Sequence, residues 1–179
     1  MALHAARPPA RVDEAGDLVL LEDQDRACWD RRLIALGFDH FERSMSGDDV
    51  SEYHVQAAIA ATHARAADPR SLDWPLILSF YDQLIALNAS PVVALNRAVA
   101  VWKVRGPAEA LAPVEPLERD PHLRHYHWLL AVRGGLLRDL GRHEDAADGF
   151  RAALEHARCE PERRFLRRRL EACAIPKDA

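Results

Sequence analysis

Positive charge is in short supply in this chain. Its 24 Lys and Arg are outnumbered by 28 Asp and Glu, giving a net charge of −4 with nine His counted neutral. A protein that grips nucleic-acid phosphates is usually clearly basic, so direct nucleic-acid contact is not expected. Cysteine is scarce as well. Cys28, Cys159 and Cys173 are odd in number and show no CxxC spacing, which excludes a disulfide framework or a zinc site and points to reduced thiols in a cytoplasmic protein. No apolar stretch approaches the roughly 18 residues of a membrane span, so no membrane partner is expected. The opening MALHAARPPARV lacks the charged-then-apolar plan of a signal peptide. It reads as a helix end followed by a proline stop, the pattern of a chain that begins inside a larger protein. No GxSxG, Walker or GxGxxG motif is present. Catalytic residues, cofactors and metals are therefore not expected.

What remains is ordinary globular composition, 49% hydrophobic and 29% charged, rich in Ala and Leu with few β-branched runs, and this favours helix. After Pro8 and Pro9, residues 7–23 read as irregular, with a turn at Gly16 and a short apolar run Leu18–Leu21 that suits a brief strand or an extended plug. A first long helix is predicted from about Asp25 to Met45, with Asp23 or Asp25 as its cap, an apolar stripe of Trp29, Leu33, Leu36, Phe38 and Phe41, and a stop at Gly47-Asp48-Asp49. The next runs from Ser51 to Ala66. A third begins at Asp73 with Pro75 in its first turn, and carries Leu76, Ile77, Phe80, Leu84, Ile85 and Leu87 at helical spacing. The fourth starts at Ser90-Pro91 and ends before Gly106-Pro107. A fifth, Pro107 to Glu118, is distorted by Pro113 and Pro116. Three more follow, at Pro121–Leu140, His143–Ala157 and Pro161–Cys173, and Ile175–Ala179 should fray. The fold class is all-α, with residues 1–70 as a helical subdomain containing the extended segment and 71–175 as helical repeats.

The repeat reading rests on Leu130, Gly134, Leu137, Gly141, Ala146, Phe150 and Ala153. Their spacing is that of a tetratricopeptide (TPR) unit: a large then a small residue on helix A, a turn glycine, and Ala, aromatic, Ala on helix B. Ala94, Ala98, Val101, Gly106 and Ala110 form a weaker copy about 36 residues earlier. Such hairpins cover one another's apolar faces and leave a concave binding surface.

Among candidate sites, Asn96 and Arg97 sit mid-helix, and with Tyr126 and Trp128 they are candidates for a protein-binding groove. Trp74, Tyr81 and Trp102 fit core positions at helical spacing. Arg163, Arg164, Arg167, Arg168 and Arg169 form a basic block. It is either a docking face for an acidic partner or for phosphate, or a solvated face paired with Glu160, Glu162 and Glu171. His122, His125 and His127 read as surface or partly buried residues rather than a metal site. Glu22, Asp23 and Asp25 suit helix capping with an ion pair to Arg26 or Arg11.

Several phrases together are distinctive: Ala6-Arg-Pro-Pro-Ala-Arg11, Leu18-Val-Leu-Leu-Glu-Asp-Gln-Asp-Arg26, Gln56-Ala-Ala-Ile-Ala-Ala61, Asp73-Trp74, Tyr81-Asp82 and Ser90-Pro-Val-Val-Ala-Leu-Asn-Arg-Ala98. In these the chain resembles, over nearly its whole length, the extracytoplasmic-function (ECF) RNA polymerase sigma factors that carry a long C-terminal TPR-like extension. The resemblance implies a bacterial transcription-initiation protein whose N-terminal domains bind polymerase and promoter. It also implies an extension that regulates them by protein contacts with its own sigma domains, with RNA polymerase or with a regulator. The chain lacks the promoter-reading domains, so no DNA-contact residue carries over. A free-standing TPR adaptor and a small-molecule sensor remain the alternatives.

Overall fold

The structure, a computed structural model, describes residues 1–46 and 49–174. Among these residues it is all-α, with nine α-helices and no strands. The stop expected at Gly47-Asp48 and the tail Ile175–Ala179 lie outside the described residues. The chain divides into two compact units, Met1–Ala89 and Ser90 onward. The boundary falls at Ala89/Ser90 rather than at 70/71, because the helix beginning at Trp74 packs on the one ending at Arg65 and so belongs to the first unit.

In the first unit, α1 (Ala2–Ala5) leads through a 3-10 turn at Pro8–Ala10 into an extended segment. Gly16 turns that segment at φ +75°, and Val19 N–H donates to the Arg11 carbonyl at 2.9 Å. The apolar run is thus extended, joined to Val12 by a single antiparallel bridge at Leu18. α2 spans Arg31–Ser44, later than the sequence suggests. Asp25 spends its carboxylate on Ala27 N–H and caps a separate 3-10 turn, Arg26–Cys28. Asp30 then caps α2 itself, accepting from Arg32 and Leu33 N–H at 2.8 and 3.1 Å. Trp29 therefore lies ahead of the helix, buried, and Leu36 of the expected stripe faces solvent. Gly37 takes its place inward, because Leu3 of α1 lies where a Cβ would stand. α3 (Glu52–Arg65) buries Val55, Ile59, Ala60, Ala61 and His63. α4 (Trp74–Leu87), capped by Asp73, buries Ile77, Leu78 and Leu84.

The second unit is built from α5 (Pro91–Arg105), α6 (Pro107–Val114), α7 (His127–Asp139), α8 (His143–His156) and α9 (Glu160–Cys173). Packing runs mainly between sequence neighbours: α5 on α6, α6 on α7, α7 on α8 and α8 on α9. Pro113 lies within α6, and the chain continues from its end as a 3-10 turn over Glu115–Arg119. α7 starts at His127 rather than at Pro121. The Asp120 side chain accepts from His122 N–H, and its carbonyl accepts from Leu123 N–H, which winds residues 120–126 into successive turns.

The small residues singled out for close packing sit inside. Gly134, Ala146, Phe150 and Ala153 are all buried between α7 and α8. A Cβ on Gly134 would meet the Phe150 ring at 3.0 Å. Gly141 ends α7 at φ +77°. Its N–H donates to Arg138 and the Arg142 N–H reaches back to Leu137, both at 2.9 Å, the pattern of a Schellman turn. Gly106 turns α5 into α6 at φ +90°.

Candidate functional site

Around Trp29 the first unit gathers an unusual set of cations. The indole is buried and carries the Arg26 guanidinium over its face, 4.3 Å from the ring centroid, with the Arg7 guanidinium at 5.9 Å. The local folding explains the arrangement. Asp30 N–H donates to the Ala6 carbonyl at 3.0 Å, which ties the segment before α2 to the end of α1 and sets Arg7 beside Trp29. The Asp25-capped turn aims Arg26 at α3, where its Nη1 donates to the His63 carbonyl. His63 is itself buried, its ring edge-on to Trp74 at 5.8 Å. Burial and the charges of Arg7, Arg26 and His4 push its pKa down to about 4, so the imidazole is neutral. Burial also lowers the pKa of both arginines. Arg11 and Arg26 add to the effect on Arg7, while Asp68 opposes it at Arg26.

Arg26 borders an open cleft of about 1080 Å³ whose lining includes Glu22, Asp23, Gln24, Asp25, Asp68 and Arg70. The capping expected of the acidic run is seen at Asp25, which caps the Arg26–Cys28 turn, and Asp68 caps a 3-10 turn over Pro69–Ser71, accepting from Arg70 N–H at 2.7 Å. Gln24 is buried, with Nε2 donating to the Val19 carbonyl at 3.2 Å.

In the second unit the groove candidates lie on two elements, α5 and the start of α7. Asn96 is exposed and Arg97 half-buried on α5. Tyr126 and Trp128 belong to an aromatic group at the start of α7. His127 stacks on Trp128 at 4.8 Å, and Trp128 packs against Phe165 of α9 at 6.1 Å. Buried His127 faces Glu162 at 3.5 Å. Burial lowers the His127 pKa against the pull of that carboxylate. Burial works against charge on Glu162, but the Arg158 and Cys159 N–H groups it accepts, and His127, hold its pKa below the ordinary range. His122 turns to Asp120 and His125 to His156. Among the described residues no His, Cys, Asp and Glu side chains form a metal-binding group.

The basic block on α9 is partly neutralised. Arg167 donates to Glu160 at 2.9 Å, holding the Glu160 pKa below its usual value, and Arg163 lies 4.0 Å from the same carboxylate. Arg163 also donates to the Ala157 carbonyl at 3.1 Å, and Arg169 covers the Phe165 ring at 5.1 Å. Arg168 is exposed and Arg164 half-buried. Sequence reasoning missed Arg7, Trp29, Gln24 and His63 as a group. The available signals were slight: a histidine interrupting the apolar run of α3, and a tryptophan closing an otherwise polar phrase.

Residues 1–45 match a family of unknown function (DUF6596). Over 175 residues, 97% of its length, the chain is 45% identical to an uncharacterized protein of Rhizobium meliloti (strain 1021). It spans 41% of that protein.

Proposed function

We propose that this chain is the regulatory C-terminal protein-interaction domain of an ECF RNA polymerase sigma factor, acting through contacts with a protein partner and not through catalysis. The observation that carries this reading is the fate of the phrase Leu18–Arg26, part of the sigma-factor resemblance. Its apolar half is folded against Val12 and Arg11, and its polar half, Glu22 to Arg26, is held on the wall of an open cleft facing Asp68 and Arg70. An open, mixed-charge wall on rigid turns suits a folded protein surface better than an enclosed substrate. The relative's greater length leaves room for the promoter-binding domains. The close α7–α8 hairpin fits the TPR-like character of the extension.

The test is a promoter reporter driven by the full-length parent protein carrying Asp23→Lys together with Arg70→Glu, two exposed positions on the cleft. Promoter output should change while the promoter-reading domains still bind DNA. Unchanged output overturns the reading.

A further inference from the structure

We infer that the Arg7–Arg26–Trp29 cluster of the first unit is a binding site for a small oxyanion, a phosphate or a carboxylate.

The case begins with unsatisfied donors. Arg26 uses Nη1 on the His63 carbonyl, but its Nε and Nη2 are buried with no hydrogen-bond partner. Those two atoms form one edge of the guanidinium, the edge that takes two oxygens of a carboxylate or phosphate side by side. Buried Trp29 Nε1 and His63 Nδ1 are likewise without a partner. A desolvated cation with an unfilled donor edge is costly, and here a second cation, Arg7, sits by the same ring. Arg7 is hydrogen-bonded to His4 Nδ1, not to a carboxylate. Two guanidinium groups and an indole N–H without a partner are thus gathered around one ring.

The nearby acids balance part of the charge but do not fill the donor edge: Asp68 favours the Arg26 cation from a distance, while its Oδ1 accepts from Arg70 N–H and Arg26 Nε and Nη2 stay without a partner. Asp25 is occupied by Ala27 N–H and Cys28. Arg26 also lines the open cleft, so a ligand would approach from that side and reach the donor edge once the side chains over it shift. The ligand must be small, since the donor edge has nearly no exposed surface and accommodating even a phosphate requires the surrounding side chains to move.

Thermal unfolding of the full 179-residue chain with inorganic phosphate tests the site. A parallel arm uses acetate, and sodium chloride of matched ionic strength is the baseline. One of the two oxyanions should raise the midpoint saturably, by about 3–5 °C at tenfold excess over its Kd. Phosphate as the active arm identifies a phosphate source and acetate a carboxylate. Arg26→Gln should abolish the rise. Because that change also disturbs the bond to His63, Arg7→Gln is the second variant, and it should weaken apparent affinity at least about tenfold. Arg124→Gln, exposed in the other unit, should leave the response intact. Asp68→Asn removes the competing charge and should tighten binding. A midpoint that rises no further with phosphate or acetate than with chloride overturns the site, and so does a rise that survives Arg7→Gln, which would be general salt stabilisation. Loss of the response in Asp68→Asn, together with a lower midpoint, overturns it by making Asp68 the counter-charge.

Discussion

Gly149 of α8 lies against Gly134 of α7 so closely that a Cβ on Gly149 would stand 3.3 Å from the Gly134 Cα and 3.3 Å from the Leu130 carbonyl oxygen. The neighbours there are backbone, which cannot rotate away. Gly149→Val should therefore lower stability by about 1–3 kcal/mol through overpacking, measured by urea denaturation. A neutral result would mean that the two helices can separate without loss.

The two turn glycines isolate backbone strain from crowding. Neither Gly106 nor Gly141 has an atom within 4 Å of a built Cβ, yet both have positive φ. Gly141 lies in the left-handed region, where Ala costs about 1 kcal/mol. Gly106, at φ +90° and ψ 173°, lies where essentially only glycine goes. Gly106→Ala should be the more destabilising of the two, and paired denaturation curves decide.

Acid should weaken the first unit through His63. Its folded pKa of about 4 lies below the ordinary 6.5, so above pH 6.5 both folded and unfolded forms are neutral and the residue contributes no pH dependence. As pH falls from 6.5 towards 4, the unfolded chain takes up a proton that the folded chain refuses. Stability then declines by roughly 3 kcal/mol across that window. His63→Phe keeps a ring against Trp74 and cannot titrate. The variant's pH–stability curve should be flatter than the parent's between pH 6.5 and 4, and parallel curves would count against the buried neutral imidazole.

Asp30 supplies the cap that begins α2, with two N–H groups on one carboxylate oxygen. Asp30→Ala should cost about 1 kcal/mol. Asp25→Ala removes the cap of the preceding turn only, and helicity by circular dichroism should fall less for it than for Asp30→Ala.

Helix type and order were legible because 3.6-residue spacing and proline–glycine punctuation act locally, as at Ser90-Pro91 and Gly106-Pro107. The α7–α8 contact was legible for the same reason, since Gly134, Ala146, Phe150 and Ala153 report a close approach through their sizes. Helix starts were harder. Asp25 and Asp30 are equally good caps in sequence, and the choice depended on a 3-10 turn and on the tie from Asp30 to Ala6. The Trp29 cluster was not legible, because it joins Arg7, Arg26 and His63 across three segments and no periodicity links them. Aromatic type says nothing of direction, so the sequence leaves open which way Tyr126 and Trp128 face, and the ring contact of Trp128 with Phe165 of α9 is not legible in it.

Neighbour-on-neighbour packing in the second unit has a kinetic consequence. Each α5–α9 interface closes a loop of a few tens of residues, so little chain entropy is lost before contacts form. This half of the chain should refold rapidly after dilution from denaturant. Its slowest-exchanging amides should cluster where α7 meets α8, where Gly134 and Gly149 bring the two backbones close together.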